Sequence, residues 1–158
     1  MATGGRRHNK RAGSQAMPYI ESVLFCESFH RDDKGFLTLT SVFQSAPIAT
    51  LPFSVRFAIA VVVSGLTDNQ EHTLHFDFHG PNGPRLIQGK PRQSVTIAPQ
   101  PTQFFELTIN IHEFPIDVYG VYYLELRFDD ADQPGHVGHF EVIQPTIPPP
   151  SLRRRVQH

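Results

Sequence analysis

EHTLHFDFHG, residues 71–80, alternates along its whole length. In an extended chain His72, Leu74, Phe76 and Phe78 fall on one side, and Glu71, Thr73, His75, Asp77 and His79 on the other, because successive side chains of a strand point to opposite faces. A helical spacing would scatter both sets around the circumference. The stretch therefore reads as a half-buried strand, with its leucine and phenylalanines on the core and two histidines and an aspartate facing water. GPNGP at 80–84 comes next as a hairpin turn signal.

The same period of two extends in both directions. Upstream, FSVRFAIAVVVSG (53–65) sets Val55, Phe57, Ile59, Val61 and Val63 against Arg56, Ala58, Ala60 and Val62. Its second side is also mostly apolar, so this strand is read as central and covered on both faces at one end. Earlier still, 19–29 and 36–44 form two strands around the turn Asp32-Asp33-Lys34-Gly35, and a proline-bearing link spans 46–52. Downstream, short strands are expected near 85–88 and 94–98. QFFELTINIHEF (103–114) then places Phe105, Leu107, Ile109 and Ile111 inward, opposite Phe104, Glu106, Thr108, Asn110 and His112. VYGVYYLELRFDD (118–130) places Tyr122, Leu124, Leu126 and Phe128 inward, opposite Tyr119, Val121, Tyr123, Glu125 and Arg127, and HVGHFEVIQ (136–144) closes the series. About eight strands without a convincing helix predict an all-β fold, an antiparallel two-sheet β-sandwich with immunoglobulin-like connections, a β-barrel being the alternative.

Composition agrees with one such domain. The chain has 158 residues with 13 Phe, 14 Pro and 11 Gly, a mixture that favours strands and turns over long helices. Charge divides it into three parts. Residues 1–16 carry Arg6, Arg7, Lys10 and Arg11 without an acid, and residues 145–158 carry Arg153, Arg154 and Arg155 without an acid. All 15 acidic residues lie between, against seven basic ones, so the middle has a net charge of about −8. The expected organisation is a disordered basic arm (1–16), a sandwich domain (17–144) and a Pro-rich basic tail (145–158) that favours polyproline II. No apolar run approaches the roughly 20 residues of a membrane span, and the N-terminal arm lacks an apolar leader core, which predicts a soluble, cytoplasmic chain without a membrane partner. Cys26, the single cysteine, sits among Val23, Leu24 and Phe25 and reads as a small buried hydrophobe.

Taken together, MPYIESVLFCESFHRDDKGFLTLTSVF (17–43), the strand ending in HGPNGP, and YGVYYLELRFDD before a GHFEV strand resemble an uncharacterised family of small bacterial and phage proteins with an immunoglobulin-like β-sandwich. The resemblance covers residues 17–144 and implies a fold and no activity. It supplies no catalytic residue.

Candidate sites emerge from the residues alone. His75, Asp77 and His79 are candidate metal ligands, but positions two apart on a strand are separated by about 6.8 Å, so a shared ion needs help from a neighbouring strand, for which His112, His136 and His139 are available. Asp129, Asp130 and Asp132 cluster in a turn, where solvated acids are the default and Ca²⁺ is the alternative. No nucleophile elbow, cysteine–histidine pair or phosphate loop is present, so no catalytic residue, cofactor or enzymatic role is assigned. Arg6, Arg7, Lys10, Arg11, Arg153, Arg154 and Arg155 are candidate nucleic-acid contacts through phosphate neutralisation. Tyr119, Val121 and Tyr123, taken with Phe104 as one outward aromatic patch, are candidate contacts to a protein partner or to a second copy of the chain. The functional expectation is a non-catalytic interaction or accessory module, with metal binding or nucleic-acid association as alternatives.

Overall fold

The computed structural model describes residues 18–66, 69–99, 102–129 and 135–146. These form ten strands and no helix: β1 (Tyr19–Arg31), β2 (Leu37–Phe43), β3 (Ser45–Pro47), β4 (Phe53–Ser64), β5 (His72–Gly80), β6 (Gly83–Arg85), β7 (Arg92–Ile97), β8 (Phe104–Ile116), β9 (Gly120–Phe128) and β10 (His136–Ile143). One sheet runs β2-β1-β4-β8, and the other runs β3-β10-β9-β5, with β6 and β7 sharing the far edge of β5. All pairs are antiparallel except β3 with β10. The molecule is an immunoglobulin-like β-sandwich. The strand missing from the expected series is β3, only three residues long and without a periodic signal of its own, and the short strand expected near 85–88 is β6, shifted to Gly83–Arg85. The arm at 1–16 and the tail at 145–158 from Ile147 onward, with their seven basic residues, lie outside the described residues.

The strand at 71–80 behaves as its alternation demands. Leu74, Phe76 and Phe78 are buried, His72 packs its ring edge-on against Phe128, and Thr73, His75, Asp77 and His79 face outward. Gly80 and Gly83 close the hairpin to β6. At the first hairpin the Asp32 carboxylate accepts the amides of Lys34 (2.9 Å) and Phe36 (2.8 Å), and Gly35 supplies a φ of 86°. β4 is central, between β1 and β8. Its inner residues Phe57, Ile59, Val61 and Val63 are buried, and so are Ala58 and Ala60 on its outer face. Cys26 lies in register with Ala58 on that outer side and is fully buried, and desolvation raises its thiol pKa.

One expected alternation breaks. In β8 the inward series runs to Ile111 and resumes at Phe114 and Ile116, because Phe57 pairs with Ile111 while Val55 pairs with Phe114. His112 and Glu113 together oppose Arg56 in a β-bulge, which exposes both and reverses the parity of everything after them. β8 is an edge strand, so Pro115 forfeits no ladder bond on its open side.

Between the sheets lies an aromatic core centred on Phe57, whose ring centroid is 5.6–6.2 Å from those of Phe25, Phe43, Phe78, Phe114 and Phe140. Tyr122 stacks on Phe140 at 5.5 Å and donates its hydroxyl to the Val118 carbonyl at 2.8 Å. A tyrosine at the start of a strand bonded back to the preceding corner is the device that fixes sheet-to-sheet crossings in immunoglobulin-like sandwiches. The corner also needs Gly120. Its φ is 131°, and a Cβ there would stand 2.9 Å from Pro81 Cγ. Gly120→Ala is therefore expected to lose about 1–2 kcal/mol of stability, read as a lower urea midpoint at unchanged m-value.

Candidate functional site

Strand register turns the outward residues of the second sheet into rows. His139, Tyr123 and His79 form one row across β10, β9 and β5. Val137, Glu125, Asp77 and Arg92 form the next, and Arg127, His75 and Ser94 the third. The β9-β5-β7 half of this face is a lattice of paired charges, in which, among the described residues, only His75 Nδ1 is buried without a hydrogen-bond partner. Asp77, whose side chain is 13% exposed, accepts Arg92 Nε at 3.0 Å and Arg92 Nη2 at 2.9 Å, and Arg127 Nη2 at 3.3 Å. His75 Nε2 pairs with Asp129 Oδ1. This hydrogen bond, with a second from Thr73, holds the Asp129 carboxyl below the usual carboxylate range. His79 Nε2 stands 4.0 Å from Glu125 Oε2.

The expected metal candidates are thus adjacent in sequence but separately engaged. Asp77 belongs to two guanidinium groups and His75 to Asp129, while His79 only approaches Glu125, at 4.0 Å without a hydrogen bond. They are half-buried, not freely solvated as the alternation alone suggested, because long side chains on β7 and β9 lean over them. His112 lies on the opposite sheet, and His139 is separated from His79 by the Tyr123 strand. No group of three or more His, Cys, Asp or Glu side chains among the described residues could hold a metal ion. Asp130 and Asp132 lie outside the described residues.

The β10-β9 half of the face is different in character. Tyr123 is 45% exposed, with the His139 ring 6.3 Å away; Val137 is also exposed, and Val121 is half-buried. The aromatic patch expected from sequence divides here. Phe104 begins β8 in the other sheet, so it is not beside Tyr123. Tyr119 is half-buried against the core, and its hydroxyl donates to the Ile48 carbonyl at 3.1 Å, tying the corner before β9 to the β3–β4 link. Alternation distinguishes in from out, but the assignment of a strand to one sheet or the other depends on register.

A second feature had no signature in the sequence. A cleft of about 390 Å³ opens at the end of the sandwich, lined by Phe43, Phe53, Val55, Phe57, Phe140 and Val142, with Glu27, Ser41 and Arg56 among its polar groups. Ser41 has a φ of 52°, and the β1–β2 ladder skips the Glu27–Ser41 pair, so the hairpin kinks at the cleft. Only the proline-rich link at 46–52 hints at an irregularity here.

A family model described as a family of unknown function (DUF6941) matches residues 21–135. The chain belongs to that family. The match takes in β1 from Glu21 through β9, including the Asp77 lattice, Tyr122 and Tyr123, and ends before β10. A solved immunoglobulin-like protein from Pseudomonas aeruginosa is similar at 16% identity and a TM-score of 0.46, over 83% of this chain and 100% of its own. No curated protein matches the chain.

Proposed function

We propose that this chain is a non-catalytic protein-interaction module of the bacterial cytoplasm, and that it meets its partner, another protein or a second copy of itself, through the β10-β9 side of the second sheet. The observation that supports this reading is Tyr123. It projects from the middle of a regular sheet with His139 and His79 in register on either side, exposed Val137 nearby, and Glu125 and Glu141 at the margin. An exposed aromatic with a polar rim is the usual anatomy of an interface centre, and a rigid strand holds it at little entropic cost. The neighbouring Asp77, Arg92 and Arg127 already satisfy one another and act as scaffold. The cytoplasmic reading draws support from a lone, buried thiol. The bacterial reading draws on the family resemblance. Among the described residues no helix is long and apolar enough to cross a membrane.

Two exposed aromatics on opposite sheets provide the test. Tyr123→Ala is expected to weaken capture of any cross-linked partner, or self-association measured by light scattering, by about 2 kcal/mol, roughly 30-fold, while its unfolding midpoint stays unchanged. Phe104→Ala should leave both unchanged. Loss of association in Phe104→Ala with retention in Tyr123→Ala would overturn the assignment of the face, and equal behaviour of both variants would remove it.

A further inference from the structure

We propose that the cleft between the ends of the sheets is a peptide site for a proline-bearing apolar segment that leads into arginines, and that its occupant is residues 147–155 of this same chain. The cleft is separate from the Tyr123 face.

Register brings the two together. β10 runs parallel to β3, with Glu141 opposite Ser45 and Ile143 opposite Pro47, and the Ile48 amide donates to the Ile143 carbonyl at 3.0 Å. Ala46, Pro47, Ile48 and Val142 all line the cleft. The chain therefore leaves its last strand at the cleft's rim. Beyond that point its sequence includes Ile147-Pro148-Pro149-Pro150-Ser151-Leu152 and then Arg153, Arg154 and Arg155. In polyproline II geometry the six residues from Ile147 to Leu152 span roughly 19 Å, enough to cross a cavity of this size, and a proline run loses little entropy when held.

Chemistry matches at both ends of the segment. Ile147 and Leu152 meet walls of Phe43, Val55, Phe57, Ile116 and Phe140, and docking would cover Phe53, which is half-exposed at the mouth. Glu27 lines the same cleft, is exposed, and has no ion-pair partner among the described residues. The arginines settle at that carboxylate, and the apolar walls carry the contact because Arg56 also lines the cleft. The acidic body, at about −8, favours a segment of three positive charges over a neutral one. Tethering raises the effective concentration of the segment to the millimolar range, so even a weak contact is populated.

A nitroxide attached at Gln157→Cys in the full-length chain tests this, since the buried Cys26 thiol is shielded from labelling. The expected result is selective loss of amide peak intensity at Ser45, Ala46, Ile48 and Val55, and recovery of that intensity when Ile147→Asp and Leu152→Asp are added. Uniform loss over the surface, loss centred on another face, or loss unaffected by the two aspartates would overturn the proposal. Mixing nitroxide-bearing protein with isotopically labelled protein lacking the nitroxide separates the sources. Intensity loss in the isotopically labelled copy alone would mean exchange between chains and would overturn docking within one chain.

Discussion

Phe57→Ala is expected to destabilise the protein by about 3–5 kcal/mol, a fall in midpoint temperature on the order of 10–15 °C. Phe57 is 4% exposed and lies within 6.2 Å of five other rings, drawn from both sheets. Removing it leaves a void whose walls belong to β1, β2, β5, β8 and β10 at once, so no single strand can relax to fill it. Edge-to-face pairing adds to the lost burial, at about 0.5–1.5 kcal/mol for a favourable pair. The same substitution at Phe104, which is 58% exposed, should change stability by no more than about 0.5 kcal/mol. Thermal or urea unfolding of the two variants side by side decides the matter. Similar losses would mean that Phe57 is not the keystone of the core.

Strict alternation made most of this core legible in the sequence. In β5 every second residue from Leu74 to Phe78 is buried, and β9 repeats the pattern with Tyr122–Phe128, because each has one face against the opposite sheet, whereas central β4 is buried on both faces from Phe57 to Val61. Where the count of two failed, the cause was local. The bulge at His112 and Glu113 inserts one residue against Arg56, so Phe114 and Ile116 turn inward although parity from Ile111 assigns Phe114 and Ile116 outward. β3 exists only because β10 offers it an edge, and three residues containing a proline announce nothing by themselves. The site was less legible for a deeper reason. Periodicity states that His75, Asp77 and His79 share a face, but the groups that engage them, Arg92, Glu125, Arg127 and Asp129, arrive from 15 to 54 residues away through pairings that no single strand encodes. The misplaced neighbourhood of Phe104 and Tyr123 has the same origin.

Asp117→Ala is expected to cost about 1–2 kcal/mol, more than an exposed pair usually does although its side chain is half-exposed, because of what it leaves behind. Arg85, only 12% exposed, donates Nη1 to Asp117 Oδ2 at 2.9 Å and Nη2 to Oδ1 at 2.5 Å, with its Cζ 5.5 Å from the centroid of the Tyr122 ring. Gly80 makes room for this arrangement, since a Cβ there would collide with the guanidinium and stand 2.9 Å from Tyr122 Cε1. Without the carboxylate a nearly buried cation loses its only counter-ion among the described residues. The hydrogen bonds from Arg85 hold the Asp117 carboxyl below its ordinary range, so its contribution is present above the unfolded-state value of about 3.9 and is lost as pH falls through the lower folded value. The gap between wild type and Asp117→Ala should therefore be full at neutral pH and narrow below about pH 4. Arg85→Met combined with Asp117→Ala removes the orphaned charge while keeping an unbranched side chain over Tyr122, and it should recover more than half of the loss. A double variant as unstable as Asp117→Ala alone would show that the cost lies in the corner's backbone and not in the stranded guanidinium.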